Sequence, residues 1–392
     1  MTNVSDIRVC QLLHHLTLGG VQRQLLSQLE AASSAVEHVV CHLGEDERLR
    51  DEFEQVATEV VRLVDGPADP RYQFDPRRLR AVVSFLRDRD VDVLHCHSSL
   101  YVLVVGRLCG RLAGVPVVGS YHNVRDGFHP TTRVAERLTR RASHANVAVS
   151  ETVERSFAGD AHRYRPGEPL DRRTVTVYNG IDAEAFGRRV AATDASSVRT
   201  RLDIGPDQSV LLCVGRYSPE KRQETLIEAL TELPNWHLVL VGWGPLESHL
   251  RRHARRAGVS DRVSVTGRVP SVHEYYATAD LFALASETEG LPVTVLEAMA
   301  AGLPVIGTAV PGTTEAVRDG ETGIVVPPGD PEELAGAVAR LTPATRKRFG
   351  TRARERSRTV FDIGTTVAAY ESIYRAAAGR PLEPAILREP GE

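Results

Sequence analysis

Short runs of Val, Leu and Ile alternate along the chain with longer segments in which apolar residues recur every third or fourth position. Near-continuous apolar runs suit strands buried on both faces, and the periodic segments suit helices that carry one parallel strand to the next. The pattern predicts strands over 7–13, 38–43, 60–64, 91–97, 115–121, 146–149 and 175–178, with helices over 21–31, 76–87 and 133–142 among them. After Tyr178-Asn179-Gly180-Ile181-Asp182, a polar stretch through Ala191-Ala192-Thr193-Asp194-Ala195-Ser196-Ser197 reads as a linker. The rhythm then restarts, with strands over 210–215, 238–242, 263–267, 281–285, 304–308 and 323–326 and helices beginning near Lys221, Leu246, Val272 and Pro292. The expectation is an α/β protein of two Rossmann-like, doubly wound domains, 1–183 and 198–365, facing each other across a central cleft. A helix near 366–378 is expected to complete the first domain, and the proline-bearing 380–392 reads as a flexible tail.

Length agrees with this division, since 392 residues exceed what one hydrophobic core usually organises. With 42% apolar, 25% charged and 5% aromatic residues the composition is that of an ordinary globular protein. A formal net charge of −3 gives no electrostatic reason to expect a nucleic-acid partner. The five cysteines, Cys10, Cys41, Cys96, Cys109 and Cys213, sit in apolar segments without zinc or redox spacing, and read as buried thiols of a reducing cytoplasm. The N-terminal stretch, interrupted by Arg8 and Gln11, does not read as a signal peptide, and no apolar run reaches the roughly 18 residues of a membrane span.

Sheets of this kind bind ligands at the carboxyl ends of their strands, and the candidate chemistry lies there. The strand over 281–285 runs through Ser286-Glu287-Thr288-Glu289-Gly290-Leu291-Pro292 into a helix holding Val293 and Glu297. A helix N-terminus at a strand end presents free amides and partial positive charge to a phosphate. Glu289 in the loop and Glu297 in an otherwise apolar helix are then placed to bind the hydroxyls of a molecule with a phosphate between two polyols. The alternative is a solvated loop residue and an exposed helix residue, but a lone carboxylate in so apolar a helix would be costly to bury.

Glu289 and Glu297 resemble the E-x7-E motif of the retaining GT-B glycosyltransferases of family 4. The similarity continues through Ala301-Gly302-Leu303-Pro304, Pro311-Gly312 with Glu315, Gly320 with Gly323, and Val326-Pro327-Pro328-Gly329-Asp330. Gly215-Arg216-Tyr217-Ser218-Pro219-Glu220-Lys221 is similar to the family's G-R-x4-K signature, which implies that Arg216 and Lys221 bind a donor diphosphate. A fork-shaped guanidinium and a point-charge ammonium suit that task. The resemblance further implies that Glu289 meets the donor sugar and Glu297 the ribose, and that the backbone from Gly290 through Leu291 and Pro292 to Val293 lines the donor, with Pro292 lacking an N–H to give. It also places the glycine-rich loop at Gly19 and Gly20, a sugar-contacting histidine at His122, and base contacts at Arg268 and Val269.

His122, Arg216, Lys221 and Glu289 are the residues assigned to catalysis, with neither glutamate acting as acid or base. No cofactor or metal is expected, because the two cations stand where a divalent ion would. The D-x-D sequences at Asp88-Arg89-Asp90 and Asp90-Val91-Asp92 precede a strand at its amino end, away from the ligand edge. His95 and His97 are read as lying on opposite faces of their strand, with His97 near the ligand edge. The implied activity is metal-independent, configuration-retaining transfer of a hexose-type sugar from a UDP- or GDP-linked donor to a hydroxyl acceptor, in cell-envelope polysaccharide or glycolipid synthesis. A nucleotide-sugar 2-epimerase of the same fold and a non-catalytic nucleotide-sugar-binding protein are the alternatives. Arg71, Arg77, Arg78, Arg80, Arg87 and Arg89, followed by Arg133, Arg137, Arg140 and Arg141, raise one further expectation, peripheral contact with an anionic inner membrane face that carries a lipid-linked acceptor. The competing reading pairs them with Asp75, Asp88, Asp90 and Glu136 on solvated helices.

Overall fold

Each predicted apolar run becomes a strand, and the strands pair in parallel. The computed structural model describes residues 7–64, 76–97 and 99–380. In the first sheet β1 (Ile7–Leu13), β2 (Val36–His42), β3 (Glu59–Arg62), β4 (Val93–Cys96), β5 (Val117–Tyr121), β6 (Ala145–Ala148) and β7 (Thr174–Thr176) take the order β3-β2-β1-β4-β5-β6-β7. In the second, β8 (Ser209–Val214), β9 (Trp236–Val241), β10 (Val263–Val265), β11 (Leu281–Leu284), β12 (Val305–Thr308) and β13 (Gly323–Val326) take the order β10-β9-β8-β11-β12-β13. The order reverses between β1 and β4 and again between β8 and β11, which makes both sheets doubly wound.

The chain forms two units: one runs up to Gly180 and resumes from Ile363, and the other is Ile181–Asp362. The resumed segment is the helix Ile363–Ala377, whose Tyr370, Ile373 and Tyr374 enter a core with Val9, Val93, Val118 and Val147. Central strands are apolar on both faces because helices cover both, so alternation is absent from their sequences. All five cysteines are buried and unpaired. Among the described residues no helix is long and apolar enough to cross a membrane.

Two expectations need correction. The polar stretch read as a linker is helical, over Ala183–Ala191 and Ala195–Arg201. Asp182 and Asp194 start these helices by accepting hydrogen bonds from the amides of Ala185 at 2.8 Å and Ser196 at 2.9 Å, a capping signal that the polar composition concealed. Glu136, expected on a solvated face, is 1% exposed beside Arg107, which is fully buried. Arg107 lies in the apolar helix Leu100–Ala113, and Glu136 in the helix Pro130–Thr139. The guanidinium donates to Asn146 Oδ1 at 2.6 Å, Ser143 Oγ at 2.8 Å and the Tyr121 hydroxyl at 2.9 Å, and lies 3.5 Å from Glu136 Oε1. The Tyr121 hydroxyl in turn donates to Glu136 Oε1 at 2.5 Å.

A buried cation with one carboxylate partner makes a testable demand on stability. Glu136→Ala leaves Arg107 charged and buried, and is expected to lower the unfolding free energy by about 3–5 kcal/mol. Denaturant unfolding checks this, and a loss no larger than that of a surface glutamate would contradict it.

Candidate functional site

The reversal between β8 and β11 brings two strand-end loops together in the second unit. Lys221, in the loop after β8, donates from Nζ to Glu289 Oε1 at 2.5 Å, and Glu289 follows β11. Ser286 Oγ donates to the same oxygen at 2.6 Å. Glu289 is 8% exposed, so its charge depends on these partners. The backbones join as well, through the amide of Glu287 and the carbonyl of Glu220 at 2.8 Å. Beyond Glu289, buried Gly290, Leu291 and Pro292 lead into the helix Val293–Ala300, with Pro292 as its N-cap. The amides of Val293 and Thr294 have no acceptor within the helix, whereas that of Val295 already donates to the Pro292 carbonyl at 3.1 Å. Gly312 presses on this loop, and a Cβ there would stand 2.1 Å from the Gly290 carbonyl oxygen.

Arg216 stands immediately beyond β8, with its guanidinium over the Trp243 ring at 5.4 Å from the centroid. Gln223 Nε2 fixes the Arg216 carbonyl at 2.8 Å. Trp243 belongs to Gly242-Trp243-Gly244 after β9, and neither glycine can carry a side chain: a Cβ would meet the Gly215 carbonyl oxygen at 1.8 Å from position 242, and that of Tyr217 at 2.3 Å from position 244. Glu297, half-buried, accepts from the Tyr276 hydroxyl at 2.8 Å. Exposed Arg268 and half-buried Val269 follow β10.

The first unit has its own strand-end cluster. Gly19 caps the helix Gly20–Glu30, and a Cβ at Gly20 would meet no atom within 4 Å. Packing therefore does not require glycine at position 20. His97, after β4, and His122, after β5, lie with ring centroids 5.8 Å apart. His97 Nε2 is 2.8 Å from Gln11 Oε1, and Gln11 Nε2 is 3.0 Å from His38 Nδ1 and 3.3 Å from the Tyr374 hydroxyl. The amide oxygen can only accept, so His97 carries its proton on Nε2. Among the described residues, the buried atoms His97 Nδ1 and His122 Nε2 find no hydrogen-bond partner. Burial pushes His38 and His122 down to about 4 and holds His95 and His97 well below the usual imidazole range.

His95 and His97 do not lie on opposite faces. Residues two apart in a strand share a face, and their rings are 3.8 Å apart. His95 is held at Nδ1 by the Tyr374 hydroxyl at 2.6 Å and at Nε2 by Ser120 Oγ at 2.8 Å. At the opposite, amino edge of this sheet, Asp92 of the D-x-D sequences accepts from the Arg8 amide and from Arg380, each at 2.8 Å.

The model for glycosyl transferases group 1 matches residues 195–356, and that for glycosyltransferase family 4 matches residues 18–185. The alpha-D-kanosaminyltransferase of Streptomyces kanamyceticus is 31% identical over 72% of this chain and 76% of that protein. The chain belongs to glycosyltransferase family 4. A further family relative is the GDP-mannose-dependent alpha-(1-6)-phosphatidylinositol monomannoside mannosyltransferase of Mycolicibacterium smegmatis, 30% identical over 66% of this chain and 69% of that protein. Among solved structures, Anabaena HepE in complex with UDP and glucose superposes with a TM-score of 0.81 at 23% identity, covering 94% of this chain and all of that one. The fold is the GT-B fold of these enzymes.

Within this family member, Arg216, Lys221 and Glu289 gather at one switch point, Gly290 to Val293 lie beside them, and Gly19, Gly20 and His122 belong to the other sheet's strand ends. Trp243, Ser286, Gln11 and Tyr276 were not singled out from the sequence. Trp243 had a signal in its flanking glycines at a strand end, whereas Ser286, Gln11 and Tyr276 become visible only through their partners.

Because Lys221 and Glu289 hold each other, single variants should separate stability from activity. Lys221→Met leaves a buried carboxylate with one hydroxyl donor, and is expected to destabilise the second unit by about 1–3 kcal/mol as well as lower activity. Glu289→Gln keeps acceptors for Lys221 and Ser286, so it should lower activity with a smaller stability change. Thermal unfolding beside turnover checks both, and equal stability losses would contradict the reading.

Buried His38, His95 and His97, with half-buried His122, give a pH dependence of known sign. His38, His95, His97 and His122 bind protons more weakly in the fold than in the unfolded chain, where the ordinary value is 6.5. Stability is therefore fully retained above pH 6.5 and is expected to fall as pH drops towards about 4. His38→Gln, which retains an acceptor for Gln11, should flatten that slope by up to about 1.4 kcal/mol per pH unit. Unfolding midpoints measured through this range test it, an unchanged slope being the contrary result.

Proposed function

We propose that this glycosyltransferase moves a hexose-type sugar from a UDP- or GDP-linked donor to a hydroxyl acceptor, with retention of configuration and without a metal ion, in cell-envelope polysaccharide or glycolipid assembly. The observation that carries this reading is the meeting of Lys221 and Glu289 across the β8/β11 reversal, beside the N-terminus of the helix Val293–Ala300. A cation, a carboxylate and open amides in one place match a ligand that is anionic in its middle and hydroxylated at its ends. Support for the donor class comes from a relative named as GDP-mannose-dependent and from a similar fold solved with UDP.

In this reading Arg216 and Lys221 take up the charge that develops on the departing diphosphate, and the first-turn amides share it. Arg216 is braced on Trp243 and Lys221 on Glu289, so the positive groups need little reorganisation during transfer. Glu289 orients sugar hydroxyls, and Glu297, anchored by Tyr276, holds the ribose. His122 offers a neutral imidazole to the sugar, because burial keeps it unprotonated near neutral pH. The leaving phosphate itself guides the acceptor onto the face it vacates, which gives retention without an enzyme nucleophile.

The test is a panel of UDP- and GDP-linked hexoses, first screened for thermal protection and then used for transfer. A matching donor at about 100 times its Kd should add about 2.7 kcal/mol of stability. Transfer is expected to continue in a strong chelator and to yield a product with the donor's anomeric configuration. Metal-dependent recovery after chelation or an inverted anomer would overturn the mechanism, and conversion of the donor without any acceptor would favour a 2-epimerase.

A further inference from the structure

The helix Pro130–Thr139 is built inside out. Its one buried residue is a carboxylate, Glu136, turned towards Arg107, while Leu138 is 79% and Val134 59% exposed. The remaining exposed large apolar side chains among the described residues are Leu112, at 60%, and Leu108, at 39%. Both lie on the helix Leu100–Ala113, which packs against this one. Exposed apolar residues scattered singly need no explanation, but a set confined to two adjoining helices marks an interaction surface.

The charges beside this face decide what covers it. Positions 134, 137 and 138 share the outward side of the helix by spacing, and exposed Arg141 follows in the 3-10 turn Arg140–Ala142, so arginines stand beside Val134 and Leu138. Neither arginine has a carboxylate partner among the described residues, and the nearest acid in sequence, Glu136, is turned inward. Four other members of the basic set expected to face a membrane are engaged elsewhere, while exposed Arg87 reaches this surface by donating to the Leu112 carbonyl at 2.6 Å. Arg78 is buried, Arg89 pairs with Glu59, Arg133 with Asp126, and Arg140 bonds the Phe157 carbonyl. Arg71 and Asp75 lie outside the described residues. A second copy of the chain is a poor occupant, because two-fold pairing brings the same patch together twice and so gathers both pairs of arginines at one interface with no carboxylate from this face to offset them. An apolar stripe flanked by unpaired arginines instead fits the headgroup and acyl boundary of an anionic bilayer.

We propose that the outward face of Pro130–Thr139, extended by Leu108 and Leu112, seats the protein on an anionic lipid surface, with Val134 and Leu138 entering the interface and Arg137 and Arg141 meeting lipid phosphates. This does not rest on the catalytic reading, since it requires neither donor nor acceptor.

The full chain, without substrates, is sedimented with vesicles of phosphatidylcholine alone or mixed with phosphatidylglycerol. Binding is expected to the mixed vesicles and not to phosphatidylcholine, weakening as salt rises. Val134→Ser with Leu138→Ser, and separately Arg137→Gln with Arg141→Gln, should each lower partitioning about tenfold or more. These side chains are outward, so both variants should keep the wild-type unfolding midpoint. Absence of binding at low salt, or wild-type binding by the serine variant, overturns the proposal. So does a concentration-dependent dimer that the serine variant abolishes, which would assign the face to self-association.

Discussion

The reversal of strand order within each parallel sheet is the constraint on which the rest depends. Where β8 lies beside β11, the connections leaving the two strands run to opposite sides, and the carboxyl edge opens between them. Loops meeting there do not continue one another in sequence, so they must be joined by contacts across the edge. Lys221 and Glu289 make that join, with the amide of Glu287 and the carbonyl of Glu220 alongside. Between β1 and β4 the first sheet makes the equivalent join with neutral groups, as Gln11 of β1 reaches His97 beyond β4.

The Arg107–Glu136 and Lys221–Glu289 ion pairs differ in a way that bears on function. Arg107 and Glu136 are sealed from solvent, and the guanidinium's remaining donors are taken by Asn146, Ser143 and Tyr121. Such a pair cannot exchange partners without leaving a buried charge unmet. Lys221 keeps 23% of its side chain exposed, while Glu289 keeps a second donor in Ser286. Lys221 has three donors and can therefore meet an incoming anion without leaving Glu289.

The architecture was legible because strands buried on both faces leave apolar runs bounded by turn residues, although the helix Leu100–Ala113 opens on an equally apolar run. Boundaries drifted where burial outlasts the ladder, as at β4, where Val91 and His97 are buried but lie outside the strand. The helices after Asp182 and Asp194 were missed because composition was weighed over the capping aspartates. Their own apolar faces are thin, with Val198 as the one buried residue of the second. Positions of the candidate site were legible as strand ends followed by glycines, cations or acids. Their pairing was not, because Lys221 and Glu289 are 68 residues apart and only the sheet order makes them neighbours.

Glycines supply the last step, because they indicate that the site is set before any ligand arrives. Gly312 lets the loop after β12 rest on the Gly290 carbonyl, and Gly242 and Gly244 let the loop after β9 rest on the one that carries Arg216. Each loop is thus shaped by its neighbour's lack of a side chain: a Cβ at position 312 would press on Gly290, and one at 242 or 244 on the carbonyls that flank Arg216. Rigid positive groups and amides at a fixed spacing favour charge that appears during a reaction over charge that must first recruit them. A sheet whose strand-end loops support one another in this way needs few residues dedicated to chemistry, which agrees with a site built mainly from backbone, two cations and two carboxylates.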